Sequence, residues 1–219
     1  NKALKEYGGI ILGGDCSKGN QKAISITAFG IQGEIELRRN ACKSGDVILT
    51  TGIHGLSKLG FLIKNKIYFD NDISLNKRLI SKSIEHFCRP KVYPNFLKNL
   101  IKTRSNKKIK RIGCTDSSDG LFQALQDLAS ASKCKAIINY EKIPKDKDWP
   151  RGNKWDEYYF FGGEDYELVF SLPKKWAKNL TKLDKEINEI GFFTDGEPSI
   201  EFKDSKKNKL LEITPFKHF

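Results

Sequence analysis

Methionine is absent from all 219 residues of this chain, histidine occurs only three times, and no apolar run is longer than a strand. The last of these absences excludes a membrane-spanning helix, which needs about 20 consecutive apolar residues. His54, His86 and His218 show no ligand spacing, so none is assigned to a metal. The five cysteines, Cys16, Cys42, Cys88, Cys114 and Cys134, are odd in number, scattered, and free of any C-x-x-C pair. That pattern fits reduced thiols in a cytoplasm and argues against disulfides or structural zinc. No G-x-x-x-x-G-K-[ST] occurs, which excludes a P-loop. The missing methionine also removes any initiator, and Asn1 to Tyr7 opens as though mid-helix, so the chain is expected to be a piece of a longer protein.

Arginine is scarce as well. Seven Arg stand against 32 Lys, and the lysine-rich runs 107–111 and 203–209 fall in probable turns or are broken by acids. The formal net charge of +12 is therefore read as a solvated surface that attracts anionic substrates, and not as a nucleic-acid groove. With 38% hydrophobic residues the chain can bury a sizeable core.

What is present in quantity is acid at the ends of apolar strands. Ile109 to Cys114 reads as a strand, and Leu121, Ala124, Leu125, Leu128 and Ala129 recur at helical spacing. Between them, Asp116-Ser117-Ser118-Asp119 packs two carboxylates and two hydroxyls into a strand-to-helix turn, with Ser118 placed as an N-cap. Hard oxygen ligands beside a helix N-terminus suit a divalent cation holding phosphate oxygens. Gly162-Gly163-Glu164-Asp165 leads into an alternating strand from Tyr166 to Leu172, which sets both carboxylates at that strand's mouth. Ile10-Ile11-Leu12-Gly13-Gly14-Asp15 repeats the theme as a third acidic strand end. Elsewhere the spacing predicts strands at Ala23–Ile31, Val47–Thr51, Cys134–Tyr140, Phe192–Phe202 and Lys209–Ile213. Helices are predicted at Leu56–Lys64, Asn76–Phe87, Tyr93–Thr103 and Trp176–Ile190, with a polar surface loop over Lys145–Asp156. Alternating helices and strands make the class mixed α/β.

In order and spacing, Gly13-Gly14-Asp15, the 39–46 segment Arg-Asn-Ala-Cys-Lys-Ser-Gly-Asp, Thr51-Gly52-Ile53-His54-Gly55, Asp116 to Leu121, Gly162 to Leu168 and the ending Phe216 to Phe219 resemble thiamine-monophosphate kinase. The resemblance runs the whole length of the chain, and Gly-Gly-Glu-Asp-Tyr-Glu-Leu is its most telling block. It implies the two-domain fold of the aminoimidazole ribonucleotide synthetase-like superfamily. Residues 1–32 would be the tail of the N-terminal ATP-binding and dimerisation domain, and residues 33–219 the complete C-terminal α/β domain.

The resemblance further implies transfer of the γ-phosphoryl of ATP to thiamine monophosphate, assisted by several Mg²⁺ ions, in a cytoplasmic homodimer. Carried over by matching position, Gly14 and Asp15 would contact nucleotide, with Asp15 also on Mg²⁺. Arg39 and Ser118 would bind ATP, Asp116 and Asp119 would ligate Mg²⁺, and Glu164 and Phe216 would bind the thiamine moiety. Cys16-Ser17 and Ser117 depart from the family's usual residues. The family's further aspartates lie upstream of this chain, so the chain alone is expected to be inactive. Two alternatives stay open: another ATP-using member of the same superfamily, such as a selenophosphate or aminoimidazole ribonucleotide synthetase, and a non-catalytic basic binding module. Neither nucleic acid nor membrane is expected as a partner.

Overall fold

The computed structural model describes residues 4–5, 8–67, 75–91 and 93–204, and the chain divides into two compact units, residues 1–33 and 34–219. In the first unit, residues 8–33 carry neither helix nor strand and are exposed throughout. The strands expected at Ile10–Asp15 and Ala23–Ile31 are therefore not formed. Alternation alone does not make a strand, because its N–H and C=O groups need a ladder partner. Ile24, Ile26 and Phe29, the residues that set that alternation, stay open to solvent.

The second unit is built on a seven-stranded mixed sheet. Its strands are β1 (Glu36–Arg38), β2 (Val47–Thr51), β3 (Arg111–Asp116), β4 (Lys135–Ile138), β5 (Leu168–Leu172), β6 (Ile187–Thr194) and β7 (Ser199–Phe202). The order across the sheet is β1-β3-β5-β2-β6-β4-β7. The two outermost pairs, β1–β3 and β4–β7, run parallel, and the inner pairs run antiparallel.

Six helices complete the unit among the described residues: α1 (Leu56–Lys64), α2 (Lys77–Cys88), α3 (Phe96–Thr103), α4 (Leu121–Ser132), α5 (Asn153–Phe161) and α6 (Lys174–Leu183). The period-2 geometry of the strands divides the core between the two faces. Ile48 and Val169 join Leu56, Leu125, Phe160 and Phe193 on the face covered by α1, α4 and α5. Val47, Leu49 and Phe170 join Phe96, Leu100 and Trp176 on the face covered by α3 and α6. Trp176 is fully enclosed, and its indole N–H donates to the Leu100 carbonyl at 3.0 Å, tying α6 to α3.

Most elements lie where the spacing places them, and β2 and α1 have the same limits. Four differ. The predicted loop over Lys145–Asp156 turns helical at Asn153, because Trp155, Tyr159 and Phe160 are buried against the α4 face. The predicted helix Trp176–Ile190 ends at Leu183 and gives way to β6, whose pairing with both β2 and β4 outweighs helical spacing. The short strand β1 has too few residues to show a period. Lys209–Ile213 lies outside the described residues.

Replacing Trp176 by Ala empties the α3–α6 face and leaves the Leu100 carbonyl only the longer bond from Thr103 Oγ1, and is expected to cost about 3–5 kcal/mol of unfolding free energy. Urea denaturation measures this, with Trp176→Phe, which keeps most of the packing, expected to lose distinctly less.

Candidate functional site

Strand polarity gathers the acidic loops. Within the antiparallel ladder, Asp116 at the end of β3 faces Leu168 at the start of β5, and Thr50 near the end of β2 faces Val169. The loops that leave β2 and β3 and the loop that enters β5 therefore meet at one end of the sheet. Their residues are Thr51 to Gly55, Asp116 to Gly120, and Gly162 to Glu167. Because β1 runs parallel to β3, Arg39 emerges at the same end, where its Nε donates to Thr115 Oγ1 at 3.0 Å and its Nη1 lies 3.6 Å from Asp127 Oδ2. Its neighbour Arg38 is taken up by Glu36.

The loops are sewn together through backbone atoms. Ser118 carbonyl accepts from Glu164 N–H at 2.7 Å, Ser117 N–H donates to the Glu167 carbonyl at 2.8 Å, and Ser117 Oγ accepts from Glu167 N–H at 3.1 Å. At Gly163 a Cβ would stand 2.5 Å from the Ser118 carbonyl oxygen, so the two loops cross closer than any side chain allows. Ser118 is not the N-cap predicted for α4. Gly120 holds that position at φ 95°, a left-handed value that favours glycine, and no side chain caps the helix. Ser118 is instead spent on joining the loops.

Asp165 is enclosed completely, away from the strand mouth where the sequence placed it. Its Oδ2 accepts from Gly55 N–H at 2.6 Å and its Oδ1 from Ser57 N–H at 2.9 Å, so it caps α1 from 110 residues away. Glu167, equally enclosed, accepts from Thr51 Oγ1 at 2.5 Å, with the Tyr93 hydroxyl near enough to favour its charge. His86 on α2 reaches both acids, with Nδ1 3.7 Å from Asp165 and Nε2 3.5 Å from Glu167. Burial pushes the Asp165 carboxyl up to about 7, against the two amide donors. Burial acts on Glu167 as well, yet the bonds from His86, Thr51 and Tyr93 hold its carboxyl below the usual range. His54 is buried with Nε2 2.7 Å from Thr50 Oγ1 and no partner for Nδ1, and burial pushes its pKa down to about 4.

With Asp165 and Glu167 turned inward, Glu164 and Tyr166 face outward. Both have left-handed backbone, φ 69° and 54°, and the Tyr166 hydroxyl donates to Glu164 Oε2 at 2.9 Å. Tyr166 also lies within the electrostatic reach of Asp116 and Asp119. Arg39, Asp116, Ser118, Asp119 and Glu164 thus share one sheet end. Gly14 and Asp15 belong to the first unit and are exposed there, and Phe216 lies outside the described residues. The sequence reading missed the inward roles of Asp165 and Glu167 and the outward one of Tyr166. The period-2 alternation of the Glu-Asp-Tyr-Glu run was the signal for all three.

Residues 43–203 match the model of AIR synthase related protein, C-terminal domain. The chain belongs to the AIR synthase related proteins. Within this family it is 36% identical over 99% of its length to thiamine-monophosphate kinase of Prochlorococcus marinus and 32% identical to that of Nitrosopumilus maritimus. It spans 65% and 67% of those two proteins, about two thirds of the curated relatives it matches. Among solved structures, AaThiL complexed with AMPPCP and TMP is 27% identical, with a TM-score of 0.60 over 83% of this chain and 53% of that one. Thiamine-monophosphate kinase from Stenotrophomonas maltophilia shares the fold at 21% identity, with a TM-score of 0.62 over 76% of this chain and 52% of that one. The AIR synthase related fold is therefore the setting in which these loops meet.

Two results are expected. Gly163→Ala forces the Ser118 and Glu164 loops apart and should lower stability by about 1–3 kcal/mol, seen as a reduced denaturation midpoint. For His54, the folded value near 4 lies below the unfolded value near 6.5, so its contribution is complete above pH 6.5 and is lost as pH falls toward 4. The full loss is about 3 kcal/mol. Asp165 has the opposite sign, its contribution falling as pH rises toward 7, so the two oppose each other in the parent's own profile. The difference in unfolding free energy between parent and His54→Gln isolates the histidine: it should shrink steadily from pH 7 to pH 4, and a constant difference counts against a neutral buried imidazole.

Proposed function

We propose that this chain supplies the catalytic C-terminal domain of a thiamine-monophosphate kinase. The observation that carries the reading is the convergence of Arg39, Asp116, Ser118, Asp119 and Glu164 on one sheet end, in a chain whose relatives along its whole length bear that name. AMPPCP, an analogue of ATP, and TMP, read here as thiamine monophosphate, accompany the AaThiL structure, which supports ATP and thiamine monophosphate as the two substrates.

In the reaction, a phosphate oxygen of thiamine monophosphate forms a bond to the γ-phosphorus of ATP. The bond from that phosphorus to the β,γ-bridging oxygen breaks, and ADP leaves with the electron pair. Such a transfer asks little covalent chemistry of a protein and much positioning and charge compensation. Arg39 supports that role: its side chain is 59% exposed and anchored only at Nε and Nη1, leaving guanidinium donors for a phosphate. The first amides of α4, uncapped by any side chain, add donors beside it. Glu164, turned outward, offers negative charge to a cationic ring.

Mg²⁺ fits this donor set. Among the described residues no three His, Cys, Asp or Glu side chains form a cage, while Asp116 and Asp119 are half-buried hard-oxygen donors one turn apart. A pair of carboxylates with the remaining ligands from phosphate and water is the usual arrangement for this ion. Asp116 and Asp119 would hold it, and it would supply neutralisation between the two polyanions; Asp15 is proposed as a Mg²⁺ ligand in the first unit. We further propose that Gly14 contacts nucleotide and that Phe216 stacks on the thiamine moiety. Residues 1–32 then form the tail of an N-terminal domain through which a cytoplasmic homodimer assembles, and residues 33–219 the C-terminal domain. The five free cysteines agree with a reducing compartment.

The test is ADP release by the full-length protein that contains this chain, with and without thiamine monophosphate. Release is expected to depend on thiamine monophosphate, and Asp116→Ala or Asp119→Ala to lower turnover roughly 100-fold or more. Turnover unchanged by both substitutions would falsify the metal assignment.

A further inference from the structure

The four residues from Gly163 to Tyr166 treat the backbone in two ways. Gly163 is glycine where a Cβ would collide with the Ser118 carbonyl. At Glu164 and Tyr166, in contrast, the chain enters the left-handed region, φ 69° and 54°, with full side chains. For an L-residue that conformation is unfavourable, and glycine would adopt it freely. Strain of this kind persists only where surrounding structure over-determines it, and here it does: Asp165 and Glu167, on either side of Tyr166, are locked inside by Gly55, Ser57, Thr51 and His86. What the strained pair presents outward is a single motif, a carboxylate with a phenol donating to it at 2.9 Å. Tyr166 is 40% exposed, so neither burial nor core packing accounts for the ring.

We propose that Tyr166 is a positioning residue for the substrate side of this site, its hydroxyl holding the Glu164 carboxylate in one orientation toward a cationic heteroaromatic phosphate ester. This rests on the kinase reading above. A lone glutamate at the rim would sample several rotamers, and freezing them is paid at each binding event. The hydrogen bond removes that freedom beforehand. It also fixes which carboxylate oxygen remains for the ligand, since Oε2 is the one that accepts from Tyr166. Asp116 and Asp119 act electrostatically on the same phenol, so the glutamate it holds belongs to the same end of the sheet as the proposed Mg²⁺-binding pair. Because the phenol donates, what it holds in place is an accepting carboxylate oxygen, a group that suits a cationic ring and not an anionic one.

Tyr166→Phe deletes only the hydroxyl and keeps the ring. In the full-length protein it is expected to raise KM for thiamine monophosphate about tenfold, in line with the loss of one hydrogen bond to a charged group, while KM for ATP and the melting temperature stay put. The same change made in a Glu164→Gln background should add less than twofold, because the hydroxyl acts through the carboxylate. An unaltered KM in Tyr166→Phe, or an equal increase in both backgrounds, overturns the proposal. Calorimetric titration of thiamine monophosphate gives a readout independent of turnover. A parent protein that neither binds nor turns over thiamine monophosphate overturns the kinase reading and this one together, whereas an active parent with an indifferent Tyr166→Phe overturns only the role of Tyr166.

Discussion

Two backbone amides, those of Gly55 and Ser57, end on the buried carboxylate of Asp165, and the geometry of the whole sheet end follows from that contact. A carboxylate removed from water is tolerable only when its lone pairs are filled, and α1 supplies both donors and the positive end of its dipole. The price of this arrangement is a carboxyl whose pKa is drawn up to about 7, and the return is mechanical. One residue of the loop entering β5 is fixed to the loop leaving β2. Glu167 repeats the device two residues later through Thr51, so the intervening Tyr166 and the preceding Glu164 have no choice but to face outward.

The position of β5 makes this local clamp matter globally. It lies between β3 and β2 and pairs antiparallel with both, so its first residue is level with the last residues of its two neighbours. Three loops from distant parts of the sequence then converge with no long connection needed. Close backbone approach completes the convergence, at Gly163 against Ser118 and at Gly120 against Phe161 and Gly162. The helices on the two faces stabilise the sheet, but the sheet's polarity selects which loops meet.

What could be read from the sequence divides along physical lines. Helices buried on one face, such as α1 and α4, follow from side-chain spacing alone, and β2, buried on both faces, follows from its short apolar run. Elements decided by a distant partner do not. β6 sits inside a stretch with helical spacing, and its identity is fixed by ladders to β2 and β4 that no local window contains. The same holds at the site. That Asp116, Asp119 and Glu164 belong together was visible as acid beside the ends of apolar strands, and the structure brings those two loops to one sheet end. That Asp165 points inward was signalled only by the alternation of the Glu-Asp-Tyr-Glu run, and its partners, the amides of Gly55 and Ser57, lie 110 and 108 residues away, where no local window reaches. Ser118 shows the converse error: the right residue type for a cap, but placed two residues before Gly120, which starts the helix, with its main-chain carbonyl bonded to the loop of Glu164.

Electrostatics completes the logic of a site rich in acid on a chain of formal charge +12. On the proposed kinase reading, two polyanionic reactants approaching Asp116, Asp119 and Glu164 would be repelled by those carboxylates. Long-range attraction by the lysine-rich surface brings anions near, but it is screened within about a Debye length and cannot orient them. Orientation has to come from short-range groups, and the chain supplies few: the guanidinium of Arg39 and the first amides of α4. The acids become favourable only when cations arrive with the phosphates, so substrate and metal are expected to bind as one unit. In that picture Glu164 alone retains uncompensated negative charge, because the bond from Tyr166 fixes its direction without neutralising it. An uncompensated carboxylate beside a neutralised phosphate site is what distinguishes a ligand that carries a positive ring from one that carries only phosphate.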